Sequence, residues 1–348
     1  MNMEIDGISY ESKKDRDRTF DFLKLYAMLS VVLDHSLQRM IGKGIQSTQL
    51  YNWIFLSQMP IFMFISGYFS LHGLNKTLSS SEFVKKLRRT VVSLFVPFIS
   101  FAVISSIISE NNILSTSILY PQNSLWFLWV LMWMQLIMLG AQQITNLFTQ
   151  KQNIKTILSI ALYLVGLIPV GSLFLWNPLL FDTKLIIFYS TFYLFGYLYA
   201  FVESEWGILK SDKWKAICIP VLIWFVISVM TRHPTIIFDN ETMVNMLYRL
   251  VGSFCAVLLM LYISSFVLKA KIFNKVAKFG TLSLEMYYTH LLLIKLPFFN
   301  EEGTEIELFI LKYIILVIGS VAIICIIKRF SIIDFIFFGK LHMRGAKT

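Results

Sequence analysis

The sequence predicts an all-α, polytopic membrane protein with about ten transmembrane helices and both termini cytoplasmic. Three observations predict it. Of 348 residues, 56% are hydrophobic and only 15% charged, whereas an ordinary soluble domain carries about 25% charged and about 45–50% apolar residues. The apolar residues gather into runs long enough to cross a bilayer. The basic residues gather on alternate loops.

A spanning helix takes about 20 mostly apolar residues. Ten stretches qualify: 20–38, 51–71, 90–109, 124–143, 154–173, 184–202, 214–231, 245–267, 282–296 and 308–327. The ninth is short. The runs are too long, and too free of alternation, for a β-barrel. The first nineteen residues are polar and charged, so the apolar run from Phe20 reads as a helix that stays. Three cysteines exclude a disulfide scaffold, and Cys218, Cys255 and Cys325 all fall in apolar runs, where burial is expected.

Lys and Arg in short loops set orientation. Twenty-three of the 31 lie on the side of the N-terminus, among them Lys13, Lys14, Arg16 and Arg18 before the first span. Lys76, Lys85, Lys86, Arg88 and Arg89 follow the second span on that same side. Only Arg39, Lys43, Lys184 and Arg232 lie opposite. The net charge of +10 therefore reads as topology and anionic-lipid contact, not nucleic-acid binding. The chain divides into a cytoplasmic N-terminal segment (1–19), a membrane domain (20–330) and a cytoplasmic basic tail (331–348). It reads as a multi-pass protein of the plasma or inner membrane. The outer loops are short, and no internal repeat of the inverted-transporter kind is visible.

Ionisable residues within spans are costly and mark function by default. The first span holds Asp21, Lys24, Asp34 and His35. Lys24 and His35 are eleven residues apart, close to three turns, so they share a face with about 16 Å between them. Asp21 is placed to pair with Lys24. Asp34 projects about 100° away from His35, so a direct Asp–His dyad is not expected. Instead it orients another group or faces the outer headgroups. His72, His233 and His342 lie in loops and tail and carry less.

The second span holds Pro60, which opens a helix, then Ser66, Gly67 and Tyr68; simple helix packing is the alternative reading. The following Lys86, Arg88 and Arg89 suit phosphates, although topology alone accounts for most of that charge. Trp126 opens the fourth span, where an interfacial aromatic belt is one reading. Glu285 and His290 lie in the ninth span, five residues apart and so not on one face. For both, structural and functional readings stand level. No spacing of His, Cys and carboxylates resembles a zinc site, and there is no Gly-rich phosphate loop or nucleophile elbow.

Taken in order, these blocks resemble the integral membrane acyltransferase family 3, of the sugar or polysaccharide O-acetyltransferase type. Asp21-Phe22-Leu23-Lys24, ten residues and then His35 is similar to that family's pattern of a basic residue, ten residues and His. The segment from Met59-Pro60-Ile61 to Ser66-Gly67-Tyr68-Phe69 resembles its second-helix signature. Leu125-Trp126-Phe127-Leu128, Phe192-Tyr193-Leu194-Phe195-Gly196-Tyr197 and Ser283-Leu284-Glu285-Met286-Tyr287-Tyr288-Thr289-His290 resemble three further blocks. One departure stands out: Arg89 is eight residues before Pro97, where the family's basic cluster commonly sits about one turn before a Pro.

The resemblance implies ten helices around a central cavity open to both faces. It implies transfer of an acyl group, usually acetyl from cytoplasmic acetyl-CoA, to a hydroxyl of a glycan or lipid-linked sugar. Acetyl-CoA is then a substrate, and no bound cofactor or metal is expected. A sugar hydroxyl is a poor nucleophile, and His35 is the expected general base. Lys24, Lys86, Arg88 and Arg89 are expected to hold the CoA phosphates. Ser66 or Tyr68 would meet the oxyanion. Trp126, Glu285 and His290 complete the expected substrate contacts, with Asp34 beside the base. Direct transfer and an acylated His35 both stay open. The rival class is a multipass exporter, flippase or polymerase of lipid-linked polysaccharide.

Overall fold

The computed structural model describes residues 18–42, 48–72, 79–109, 117–121, 125–206, 219–220, 222–224, 243–299 and 303–340. Among these every regular element is a helix. Most of the expected seventh span, most of the N-terminal segment and residues 341–348 of the tail lie outside the described residues, as do Cys218, His233 and His342.

Helix α1 (Thr19–Met40) is the axis of the assembly. Asp21 sits in its first turn, where a carboxylate is favoured by the helix dipole, and it pairs with Arg18 at 2.9 Å. The helix ends at Gly42, whose φ of 95° no larger residue adopts readily. Around α1 pack α2 (Gln49–His72), a 3₁₀ segment (Ala277–Leu282) and further helices named below. A Cβ at Gly280 would fall on the Asp21 carbonyl, so a glycine is what lets the 3₁₀ segment reach the start of α1.

After α2 come α3 (Ser80–Ser109), α4 (Trp126–Phe148), α5 (Gln152–Gly166), α6 (Ile168–Trp176) and α7 (Thr183–Trp206). The most extensive helix pairing is α2 with α7. It is made by two glycines that approach reciprocally. An added Cβ at Gly67 would land on the Tyr193 carbonyl, and one at Gly196 on the Phe64 carbonyl. Small residues at such a seam let backbones touch, and in lipid that close packing holds helices together. Helix α8 (Met243–Val267) leads through α9 (Lys271–Val276) and the 3₁₀ segment to α10 (Ser283–Leu293). Helix α11 (Ile306–Ile327) and the short α12 (Ser331–Phe338) follow.

Seven of these runs are long and apolar enough to cross a membrane: α2, α3, α4, α5 with α6, α7, α8 and α11. Helix α1 is as long as α11 but carries Asp21, Lys24, Asp34 and Arg39. Helix α10 has only 11 residues. The chain is thus a multi-pass membrane protein. Helix α11 shows how such a span sits: Leu316, Ser320 and Ile324 are buried while Ile310, Ile314 and Ile318 point outward. Cys325 is exposed on α11, contrary to the burial expected from its apolar run, whereas Cys255 is buried.

The expected basic tail begins with structure. Helix α12 packs on α3 and ends at Gly339, left-handed with φ 64°. A Cβ there would crowd the Val92 carbonyl and Ser93. The turn delivers Lys340 to Glu285.

Candidate active site

Lys24 and His35 open into two different cavities. The first, about 300 Å³, is lined by Lys24 of α1, Ser66, Phe69 and Ser70 of α2, Lys86 and Thr90 of α3, and Gln135, Met138 and Gln142 of α4. Lys24 Nζ lies 5.4 Å from the Phe69 ring centroid, where the ring face attracts a cation. Two ammonium groups and several neutral donors, with no carboxylate in the lining, suit an anion.

The second cavity, about 280 Å³, is lined by Asp34, His35 and Gln38 of α1, Phe55, Gln58 and Met59 of α2, Trp126 of α4, Lys184 and Tyr189 of α7, and Tyr287 of α10. Asp34 is held from two sides. Gln38 Nε2 donates to Oδ1 and Gln58 Nε2 to Oδ2, both at 2.8 Å. Gln38 Nε2 also donates to the Tyr51 hydroxyl at 3.2 Å. The carboxylate therefore fixes two amides on the wall beside His35 rather than binding His35. Trp126 stacks on Tyr189 with centroids 5.3 Å apart, giving a flat aromatic wall. Just before Lys184, Phe181 and Asp182 are both left-handed, a strained pair for non-glycine residues. Trp129 Nε1 donates to the Phe181 carbonyl at 3.0 Å and holds that turn, which feeds Lys184 into the cavity.

His290 is fully buried and faces His35, ring centroids 5.5 Å apart. Its Nδ1–H donates to the Met286 carbonyl at 2.8 Å, which leaves Nε2 an acceptor. That Nε2 has no hydrogen-bond partner among the described residues.

Of the other expected site residues, Ser66 lines the lysine cavity and the rest line neither. Arg88 and Arg89 are exposed on α3 and line neither cavity. The Tyr68 hydroxyl donates to Glu203 at 2.9 Å, and Ser66 Oγ donates to the Phe62 carbonyl at 2.9 Å. Glu285 lines neither cavity and accepts from Lys328 at 2.9 Å and from Lys340. Burial alone would pull Lys340 down, but the Glu285 carboxylate outweighs it and holds Lys340 above the ordinary lysine range. Sequence reasoning missed Gln58, Gln135 and Gln142. Amides inside apolar runs were the available signal.

A model of an acyltransferase domain matches residues 17–329, nearly the whole chain. The chain belongs to acyltransferase family 3. It is an acyltransferase. It is similar to the nodulation protein NolL of Sinorhizobium fredii, 23% identical over 263 residues, covering 70% of this chain and 67% of that protein. The NolL protein of Mesorhizobium japonicum is 23% identical over 240 residues, covering 66% of this chain and 61% of that protein. The chain thus spans about two thirds of the length of these relatives. No solved structure matched it. Every lining residue of both cavities falls within the matched region of this acyltransferase.

Proposed function

We propose that this acyltransferase moves acetyl, or another short acyl group, from cytoplasmic acyl-CoA to a hydroxyl of a cell-surface or lipid-linked glycan. One observation carries the reading: a single helix presents Lys24 to an anion-suited cavity and His35 to a separate, aromatic-walled one. The Lys24 cavity faces the cytoplasm, following the basic loops, in a ten-span arrangement of the plasma or inner membrane. Lys24 and Lys86 hold the CoA phosphates there.

The acceptor sugar lies against Trp126 and Tyr189. His35 takes its hydroxyl proton as the oxygen attacks the thioester carbonyl. The C–O bond forms, the C–S bond breaks, and His35 returns the proton to the leaving thiolate. Gln58 has a second N–H beyond the one given to Asp34, and it serves the oxyanion. Asp34 fixes that amide, and His290 backs the base.

The test is proton NMR and mass spectrometry of surface glycan from cells with and without the gene. Ester-linked acyl groups should vanish on deletion and return with the wild-type gene but not with His35→Ala. Unchanged acylation with shortened or scarcer polysaccharide overturns the reading in favour of export or polymerisation.

A further inference from the structure

The two cavities share no lining residue. On α1 the gap runs from Lys24 to Val31, about 10 Å. On α2 it lies between Ile65 and Met59, and on α4 between Gln135 and Trp126. Buried apolar side chains dominate these stretches, among them Met28, Phe62, Met63, Phe127 and Met134, each 9% exposed or less. A donor anchored at Lys24 reaches His35 only through this septum.

The septum mixes two kinds of side chain. Methionine is unbranched and adaptable, so Met28, Met63 and Met134 give way at little cost. Phe62 and Phe127 are rigid rings in contact, centroids 5.4 Å apart. Phe127 also meets Tyr287 at 5.4 Å, Tyr287 meets His290 at 5.9 Å, and His290 meets His35 at 5.5 Å. The ring pair thus stands at the foot of a ladder that ends at the base. The Gly67–Gly196 seam ties α2 to α7 at this level.

We propose that Phe62 and Phe127 form the bottleneck through which the donor's thioester arm crosses to His35, and that their separation restricts the enzyme to short acyl groups. This rests on the acyl-CoA reading above.

The test uses the purified full chain in detergent, with its three cysteines replaced by Ser and Met59→Cys placing a thiol in the histidine cavity. The probes are the methyl and hexyl disulfides of coenzyme A. The introduced thiolate attacks one sulfur, a new disulfide forms, and the other half leaves as a thiolate that takes up a proton. Intact-protein mass reads either adduct. The methyl probe should react at least about tenfold faster than the hexyl probe, the discrimination that a few methylenes allow. Phe127→Ala or Phe62→Ala should bring the two rates together. Phe127→Trp should stop both probes while methyl methanethiosulfonate still reacts, which shows an intact, accessible cavity.

Reaction indifferent to Phe127→Trp overturns the passage, as does a rate ratio unchanged in both alanine variants. Equilibrium dialysis with labelled acetyl-CoA separates the two levels. Saturable binding without modification by the coenzyme A probes sinks the passage alone. No saturable binding sinks the donor reading and the passage with it.

Discussion

The two cavities are nearly equal in volume, about 300 and 280 Å³, and differ in how they are made. The lysine cavity presents charges on long, adjustable side chains from α1 and α3. The histidine cavity presents groups locked by one another: Asp34 clamped by two amides, Trp126 against Tyr189, His290 against His35. Point charges tolerate displacement and act additively. A clamped network fails as a unit. Substitutions in the first should therefore give graded losses, and in the second abrupt ones.

The sharpest break is His35→Ala. Transfer should fall by about 10²–10⁴-fold, the share a positioned base supplies, with acetyl-CoA binding by equilibrium dialysis unchanged. Next is the clamp. Asp34→Asn and Gln58→Leu should each cut turnover about 10–100-fold, since charge-assisted hydrogen bonds are worth about 1.5–3 kcal/mol. The double variant should be little worse than either single one; additive losses would dissolve the contrast between the cavities. Lys24→Gln and Lys86→Gln come third. Each should weaken acetyl-CoA binding by about tenfold or less, additively and less at high salt, with turnover at saturation retained. The smallest effect is expected outside both cavities. Lys340→Ala should lower stability by about 1 kcal/mol in thermal unfolding, because Lys340 is 42% exposed and Lys328 still meets Glu285.

How much of this was legible follows the same division. Membrane class and the placing of Lys24 and His35 three turns apart on one helix were readable, because charge in an apolar run is conspicuous and helical spacing is fixed. Their allotment to two cavities was not, since that depends on α2 and α4 closing the gap between them. The amide clamp was hidden because an Asp's partners come from another helix and from a turn away. Glu285 looked like any intramembrane acid. Its partners, Lys328 and Lys340, are 43 and 55 residues downstream, brought back by the end of α11 and the turn after α12. Among the described residues seven runs, not the ten expected, are long and apolar enough to span, and α1 with its four charged residues is not one of them.

The same Lys340 contact bears on the order in which the protein is made. Helix α10, which carries His290 beside His35, holds a buried acid at its start that takes cations from either side of α12. A chain cut short at the end of α11 has α10 without either. Until residue 340 has emerged and turned at Gly339, Glu285 lacks its full countercharge. A chain halted early is left with a buried acid that disfavours the finished packing.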